Sequence, residues 1–210
     1  MKDSLDYWRV IFFKKHNYLK DGKERTMNKI LKLKRKDGKI INVQLKNLDI
    51  TYIDKIMEIQ NIILEDLKDK RLYAATDKEE FIDYINIFGK IIGYITEEDE
   101  LIAMGVYAKK GYAKGNYGYD IELEGEELLK VGQIESTVVR EEYRGNRLQK
   151  IICETLEEIA REEGDSVICA TASPYNEFSV NTFKKLGYEI KKDKIKYGGL
   201  RRYILVKKLD

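Results

Sequence analysis

Around Lys90 the hydrophobic period of this chain changes from about 3.6 residues to 2, and that switch limits it to a mixed α/β fold. Ahead of the switch, Ile53, Ile56, Met57, Ile63, Leu64 and Leu67 fall on one face of a helix. Phe81, Tyr84, Ile85 and Phe88 form a second helical stripe, which at this spacing reads as core rather than as a cofactor box. Thr51 with Asp54 has the pattern of a capping box at the first helix. After the switch, residues 91–96 and 101–108 are β-rich runs separated by Glu97-Glu98-Asp99-Glu100, which predicts an antiparallel hairpin. A strand at 131–139 follows, then Arg144-Gly145-Asn146-Arg147-Leu148, then a third helix. Leu148, Ile151, Ile152, Leu156, Ile159 and Ala160 share a face of that helix, and Gly164 sits where a left-handed terminating residue is expected. Residues 166–172 form another strand. Asn176, just past the only proline, Pro174, is a good N-cap for a short helix stopping at Gly187. Strands at 188–190 and 203–206, around a Gly198-Gly199 turn, complete the sheet. With the alternation of Ile41, Val43 and Leu45, the order is β-α-α-β-β-β-α-β-α-β-β.

Charge and composition narrow the function. Lys and Arg number 39 against 37 Asp and Glu, a net charge of +2, so a nucleic-acid partner is not expected. The basic C-terminal run, with Lys191, Lys192, Lys194, Lys196, Arg201 and Arg202, reads as a solvated face. Cys153 and Cys169 are too few for a disulfide framework and read as small core residues. The single histidine, His16, disfavours His-based triads and multi-histidine metal sites, and no metal is expected. The apolar run at 7–13 is broken by Arg9, poor for a signal peptide, and nothing approaches a membrane span. The expected location is therefore the cytoplasm, without membrane contact. Met27 opens a segment that reads as a start. Residues 1–39 are expected to be an extension and 40–210 one domain. Gly111, Gly115 and Gly118 match no phosphate-loop spacing and read as a flexible connection.

The strand–loop–helix unit at 131–162 carries the chemistry. A helix N-terminus presents free N–H groups and the positive end of its dipole, which suits a phosphate. Gly145 lets an anion approach the backbone, and Arg144 and Arg147 add cationic donors. By itself this pattern also serves merely to turn a chain.

Two motifs add more. Val139 to Gln149 reads VxxEYRGNRLQ, and Asn176 to Tyr188 reads NxxSxxxFxxxGY, about thirty residues later. In that order they resemble the GNAT-type N-acetyltransferases, over roughly residues 40–210. The family's phosphate loop reads Q/R-x-x-G-x-G/A; here Glu142 replaces the first residue and Arg147 the second small one. The resemblance implies a mixed, mostly antiparallel central sheet splayed between its fourth and fifth strands, flanked by about four helices. It implies acetyl-CoA as co-substrate. The pantetheine arm would pair with backbone near Val138 and Val139, the pyrophosphate would rest on Arg144, Gly145, Asn146, Arg147 and Leu148, and Asn176 would lie near the arm. Asn176 as a helix cap is an equally good reading and compatible with the first.

Acetyl transfer to an amine needs a base, and Glu135, on the strand leading into the loop, is the best-placed carboxylate. The alternative for Glu135 is a strand carboxylate paired with a lysine. Many relatives carry Tyr where this chain has Phe183, so the usual proton donor to the thiolate is missing; Tyr175 or Tyr188 could stand in. The acids from Asp120 to Glu127 read as a soluble loop, with attraction of a cationic amine as the second reading. The acceptor is expected to be a small-molecule or peptide amine, and a homodimer is compatible. The competing function is a non-catalytic acyl-CoA-binding sensor or interaction module.

Overall fold

A computed structural model describes residues 30–209; the apolar run at 7–13, His16 and Met27 lie outside the described residues. The chain runs β1 (Ile30–Lys34), β2 (Ile40–Leu48), α1 (Ile53–Asp66), α2 (Lys78–Asp83), β3 (Gly89–Thr96), β4 (Leu101–Ala108), β5 (Val131–Val139), α3 (Leu148–Glu162), β6 (Val167–Ala172), α4 (Glu177–Lys185), β7 (Glu189–Lys196) and β8 (Leu200–Lys208). All eight strands form one sheet in the order β1–β2–β3–β4–β5–β6–β8–β7. Only the β5–β6 pair is parallel, as it must be when α3 carries the chain across between them. The mixed α/β reading thus holds, with one strand more than the sequence pattern indicated. That strand, β1, pairs with β2 from Ile30 to Lys34 and places part of the stretch 1–39 inside the sheet. Its charged alternation, Lys32 and Lys34 between Leu31 and Leu33, suits an edge with one buried side and hides the strand in a basic segment.

Helices cover both faces. On one, α1, α2 and the π-helical turn Tyr84–Phe88 that continues α2 bury Ile56, Ile59, Ile63, Phe81 and Tyr84 against Ile91, Met104, Val106 and Val138. On the other, α3 and α4 bury Leu148, Ile152, Leu156 and Phe183 against Ile92, Tyr94, Ile134 and Leu205. Double coverage explains why β4 is buried throughout and apolar along its length. At Gly105 a Cβ would lie 2.4 Å from Cγ2 of Ile152, so glycine there sets how closely α3 approaches the sheet. By contrast β7 is exposed along most of its length and rich in lysine, which protects an edge strand from pairing.

Local chemistry departs from expectation in two places. Asp49, not Thr51, caps the first helical turn: its side chain accepts from Thr51 N–H and from the Thr51 hydroxyl. Asp49 wins because a short 3-10 turn precedes α1 and moves the cap back. The stretch 111–118 is a bonded loop rather than a flexible connection. Asn116, 2% exposed, donates to Gly111 O (2.6 Å) and Leu128 O (3.0 Å) and accepts from Gly118 N–H (2.8 Å). Asn176 does cap α4, accepting from Ser179 N–H. Among the described residues no helix is long and apolar enough to cross a membrane.

Asn116→Ala strands buried backbone groups at both ends of that loop and should cost at least about 2 kcal/mol. For a domain of this size that lowers Tm by about 4–8 °C. Thermal unfolding followed by circular dichroism checks this; an unchanged Tm would mean the loop contributes nothing to the fold.

Candidate active site

The parallel pairing of β5 with β6 stops at Ile134 and Ala170, although β5 runs on to Val139 and β6 to Ala172. From Glu135 onward β5 keeps a partner only on its β4 side, so the sheet splays open between β5 and β6. With β1 counted, these are the fourth and fifth strands of the sequence pattern. Arg140 N–H donates to Ile102 O on β4, so by alternation Val139 and Thr137 turn their N–H and C=O groups toward the gap. Val138, opposite Met104, turns its backbone to β4 and its side chain into the α1 core. The Arg144 guanidinium reaches back to Val139 O at 3.4 Å.

A β-bulge lies at the mouth of the gap. Thr137 sits opposite Gly105 but Ile134 opposite Tyr107, so Glu135 and Ser136 together face the single residue Val106. Consecutive strand residues normally point to opposite faces. The bulge instead puts both Glu135 and Ser136 on the α1–α2 face: the Ser136 hydroxyl lies 3.0 Å from that of Thr76, just ahead of α2. Thr137 returns to the other face, where Gln149 donates to it at 3.3 Å and to Ser179 at 3.1 Å.

Glu135 is held in a polar network, its side chain 12% exposed. Oε1 accepts from Gln133 Nε2 at 2.6 Å and lies 3.8 Å from Lys110 Nζ. Oε2 accepts from the Tyr117 hydroxyl at 2.5 Å. Tyr117 spends its one proton there, so the hydroxyl of Tyr197 must donate to Tyr117, and that of Thr171, at 3.0 Å, to Tyr197. This chain of hydroxyls, Thr171 on β6 to Glu135 on β5, bridges the splayed strands. Burial, then the nearby Glu135 charge, pushes the Tyr117, Tyr84 and Tyr197 phenols well up, so they stay protonated donors at neutral pH. Tyr73, close by, is pushed up to about 12 by burial. Lys110 is also shared: its Nζ lies 3.3 Å from Glu80 and 5.0 Å from the centre of the Tyr84 ring. Glu135 is thus a shielded strand carboxylate with a lysine at the edge of contact.

The loop before α3 has an unusual backbone. Gly145 has φ +96° and Arg147, the N-cap, φ +59°, both left-handed. A Cβ at Gly145 would meet nothing within 4 Å, so the backbone lies open where an anion would approach. Leu148 buries its side chain and offers only its N–H; Arg144 and Arg147 are exposed. The Asn146 side chain is committed to the fold: it accepts from Lys34 N–H (3.1 Å) and donates to Lys34 O (2.8 Å) and Tyr143 O (2.9 Å). Lys36 N–H donates to Glu142 O at 2.9 Å and Lys36 Nζ pairs with Glu141 at 2.5 Å. The β1–β2 hairpin thus splints the loop.

Other expected participants sit elsewhere. Phe183 is buried against Tyr188, rings 5.0 Å apart and edge-on, in the core on the α3–α4 face. Tyr188 lies in that core too, so its hydroxyl does not reach the Glu135 face, and Tyr175 carries the Arg71 guanidinium at 4.0 Å. The acids Asp120 and Glu122 are taken by Lys194, Lys196 and Lys192 of β7, while Arg202 of the same basic run is buried rather than on a solvated face. Tyr117, Tyr197, Lys110 and Thr171 carried no sequence signal, because they join Glu135, directly or through another hydroxyl, from separate segments.

The model of the acetyltransferase (GNAT) family matches residues 53–188, about two thirds of the chain. The chain belongs to the GNAT acetyltransferase family. Among solved structures it is similar to a GNAT-family acetyltransferase from Listeria monocytogenes, with 17% identity over 85% of this chain and 100% of that one, TM-score 0.60. It is also similar to yncA of Salmonella typhimurium, solved with its cofactor acetyl-CoA, with 16% identity over 80% and 95% of the two chains and TM-score 0.59. The NatC complex bound to Gag peptide and CoA matches at 15% identity over 80% and 99%, TM-score 0.60. These identities show a shared fold. No curated protein matches the chain.

Asn146→Ala removes the side-chain links between loop and hairpin, so amide exchange at 144–148 should accelerate while the core strands stay protected. Hydrogen-exchange mass spectrometry reads this. Unchanged exchange in the loop would show that the hairpin does not hold it.

Proposed function

We propose that the protein transfers the acetyl group of acetyl-CoA to a primary amine by direct attack, with Glu135 as the base. The observation that carries this reading is the bulge that sets Glu135 on the rim of an open strand edge, on the strand that leads into an anion-ready loop. In this reading Arg144 to Leu148 hold the pyrophosphate, through N–H groups of the helix terminus and two guanidinium groups. The outward N–H and C=O of Val139 pair with the pantetheine arm as a neighbouring strand would. That pairing requires the Arg144 side chain to leave Val139 O for the phosphates. Asn176 keeps its capping role and lies at the start of the helix that borders the gap.

When bound, acetyl-CoA supplies a thioester whose thiolate, with an ordinary thiol pKa near 8.5, is a tolerable leaving group. Glu135 takes the proton of the incoming amine on the oxygen facing the cleft. At rest the hydroxyls of Tyr117 and Tyr197 point toward Glu135, so the protonated carboxyl and both hydroxyls first turn to donate outward, and the proton then leaves along Tyr117 and Tyr197, each hydroxyl accepting one proton and passing on its own. Tyr197 is 44% exposed and hands the proton to water. A positively charged Lys110 beside Glu135 and Glu80 keeps the site from accumulating negative charge. Negative charge on the thioester oxygen meets backbone N–H groups of the bulged strand.

The second reading, a binding module without catalysis, is favoured by Phe183, whose buried ring offers no proton to a leaving thiolate. One experiment separates the two. Acetyl-CoA consumption is followed over a panel of amines for wild type and Glu135→Gln, with CoA affinity measured by calorimetry. Acetyl transfer by wild type, falling about 10²–10⁴-fold in the variant while CoA affinity holds, is expected. Cofactor binding with no acetylated amine would select the binding module.

A further inference from the structure

Arg202 of β8 is 3% exposed, and no carboxylate pairs with it among the described residues. Its Nη1 donates to the backbone oxygens of Arg71 (3.0 Å) and Arg201 (2.8 Å), and its Nη2 is buried with no partner. The other shielded cations near the sheet are paired: Lys109 with Asp165, Arg140 with Glu100, Lys207 with Glu157. A guanidinium keeps its charge in a protein, so a buried one without a counter-ion is costly unless a ligand supplies the charge.

Its position says which ligand. Along β8, Tyr203 packs against the α3–α4 core, while Ile204 packs with Tyr117 on the opposite face. Arg202, two residues before Ile204, shares that face, which is the face of Glu135. Tyr197 stands between the two groups: its ring lies 5.8 Å from the Arg202 guanidinium, and its hydroxyl reaches Tyr117 and through it Glu135. Over Arg202 lies the short turn Lys70–Leu72, joined by the Arg71 carbonyl and by Arg71 stacking on Tyr175.

We propose that Arg202 is a specificity determinant that reads the carboxylate of the acceptor, so that the acceptor is a small zwitterionic amine, a free amino acid or the end of a short peptide. The inference rests on the proposed amine acetylation and deepens it. A carboxylate displaces the Arg71 carbonyl from Nη1 and completes Nη2 in a forked pair, exchanging one bond to an uncharged acceptor for two to an ionised one. A polyamine, by contrast, would bring its second cation against Arg202 with Lys196 nearby over the Tyr117 ring, and is repelled.

The test uses the full chain saturated with CoA and three matched pairs: L-phenylalanine and phenethylamine, L-methionine and 3-(methylthio)propylamine, L-lysine and cadaverine. Within each pair only the carboxylate differs. Calorimetry should show at least one amino acid binding about tenfold or more tightly than its decarboxylated twin. Arg202→Met should erase that preference while CoA affinity stays, and Arg202→Lys, which keeps the charge but not the fork, should restore part of it. Twins binding as tightly as the acids, no acid binding at all, or a preference kept by Arg202→Met would overturn the inference. If amines lacking a carboxylate are acetylated efficiently, the inference fails while the acetyltransferase reading stands. Failure of the wild type to bind CoA would remove that reading and the inference with it.

Discussion

The extra residue that β5 carries opposite Val106 is the constraint on which the site depends. A regular strand would send Glu135 to one face and Ser136 to the other, and would leave β5 free to follow β6 along its length. With the bulge, both polar side chains turn to the α1–α2 face, while Thr137 and Val139 resume the pleat and direct their backbone into the gap. Strand divergence, the placement of Glu135 and the exposed edge thus go with one local distortion. The surroundings are built to tolerate it. Gln133, fully buried, accepts from Tyr117 N–H (2.9 Å), donates to Gly115 O (3.1 Å) and holds Glu135 with the same amide group.

Stability and function are tied through the same contacts. The loop 111–118 is fixed by Asn116 and delivers Tyr117 to Glu135; the β7–β8 turn delivers Tyr197, in a left-handed conformation with φ +51°. The β7 lysines that pair with Asp120 and Glu122 anchor that hairpin to the loop beside Tyr117. Likewise the β1–β2 hairpin packs on the sheet edge and, through Asn146 and Lys36, braces the loop that begins α3. Each side of the cleft is therefore held by a hairpin from a sequence-distant end of the described chain.

The legible part of the sequence was the local part. Helical stripes at 53–67 and 148–160, the hairpin around 97–100, the cap at Asn176 and the glycine at 145 each rest on a period or a backbone requirement, which few residues suffice to express. The two motifs found the loop and the strand before it, and with them the family. Three things were not legible. The strand β1 has five residues in a basic segment and earns its place by pairing with β2. The structural task of the Asn146 side chain was hidden because its partner, Lys34, is 112 positions away. The hydroxyl chain and Arg202 join residues from four separate segments, and only the fold puts Tyr117, Thr171, Tyr197 and Glu135 in line.

The most direct test of the account is hydrogen exchange of the full chain with and without CoA, resolved to single amides. Glu135 to Val139 on the open edge of β5 and Gly145 to Lys150 at the start of α3 are where the cofactor is expected to touch backbone. The account predicts new protection at Val139 and across Gly145 to Lys150, with Val138, already bonded to β4, unchanged. Protection confined to other parts of the sheet, or none at either segment with CoA demonstrably bound, would contradict it.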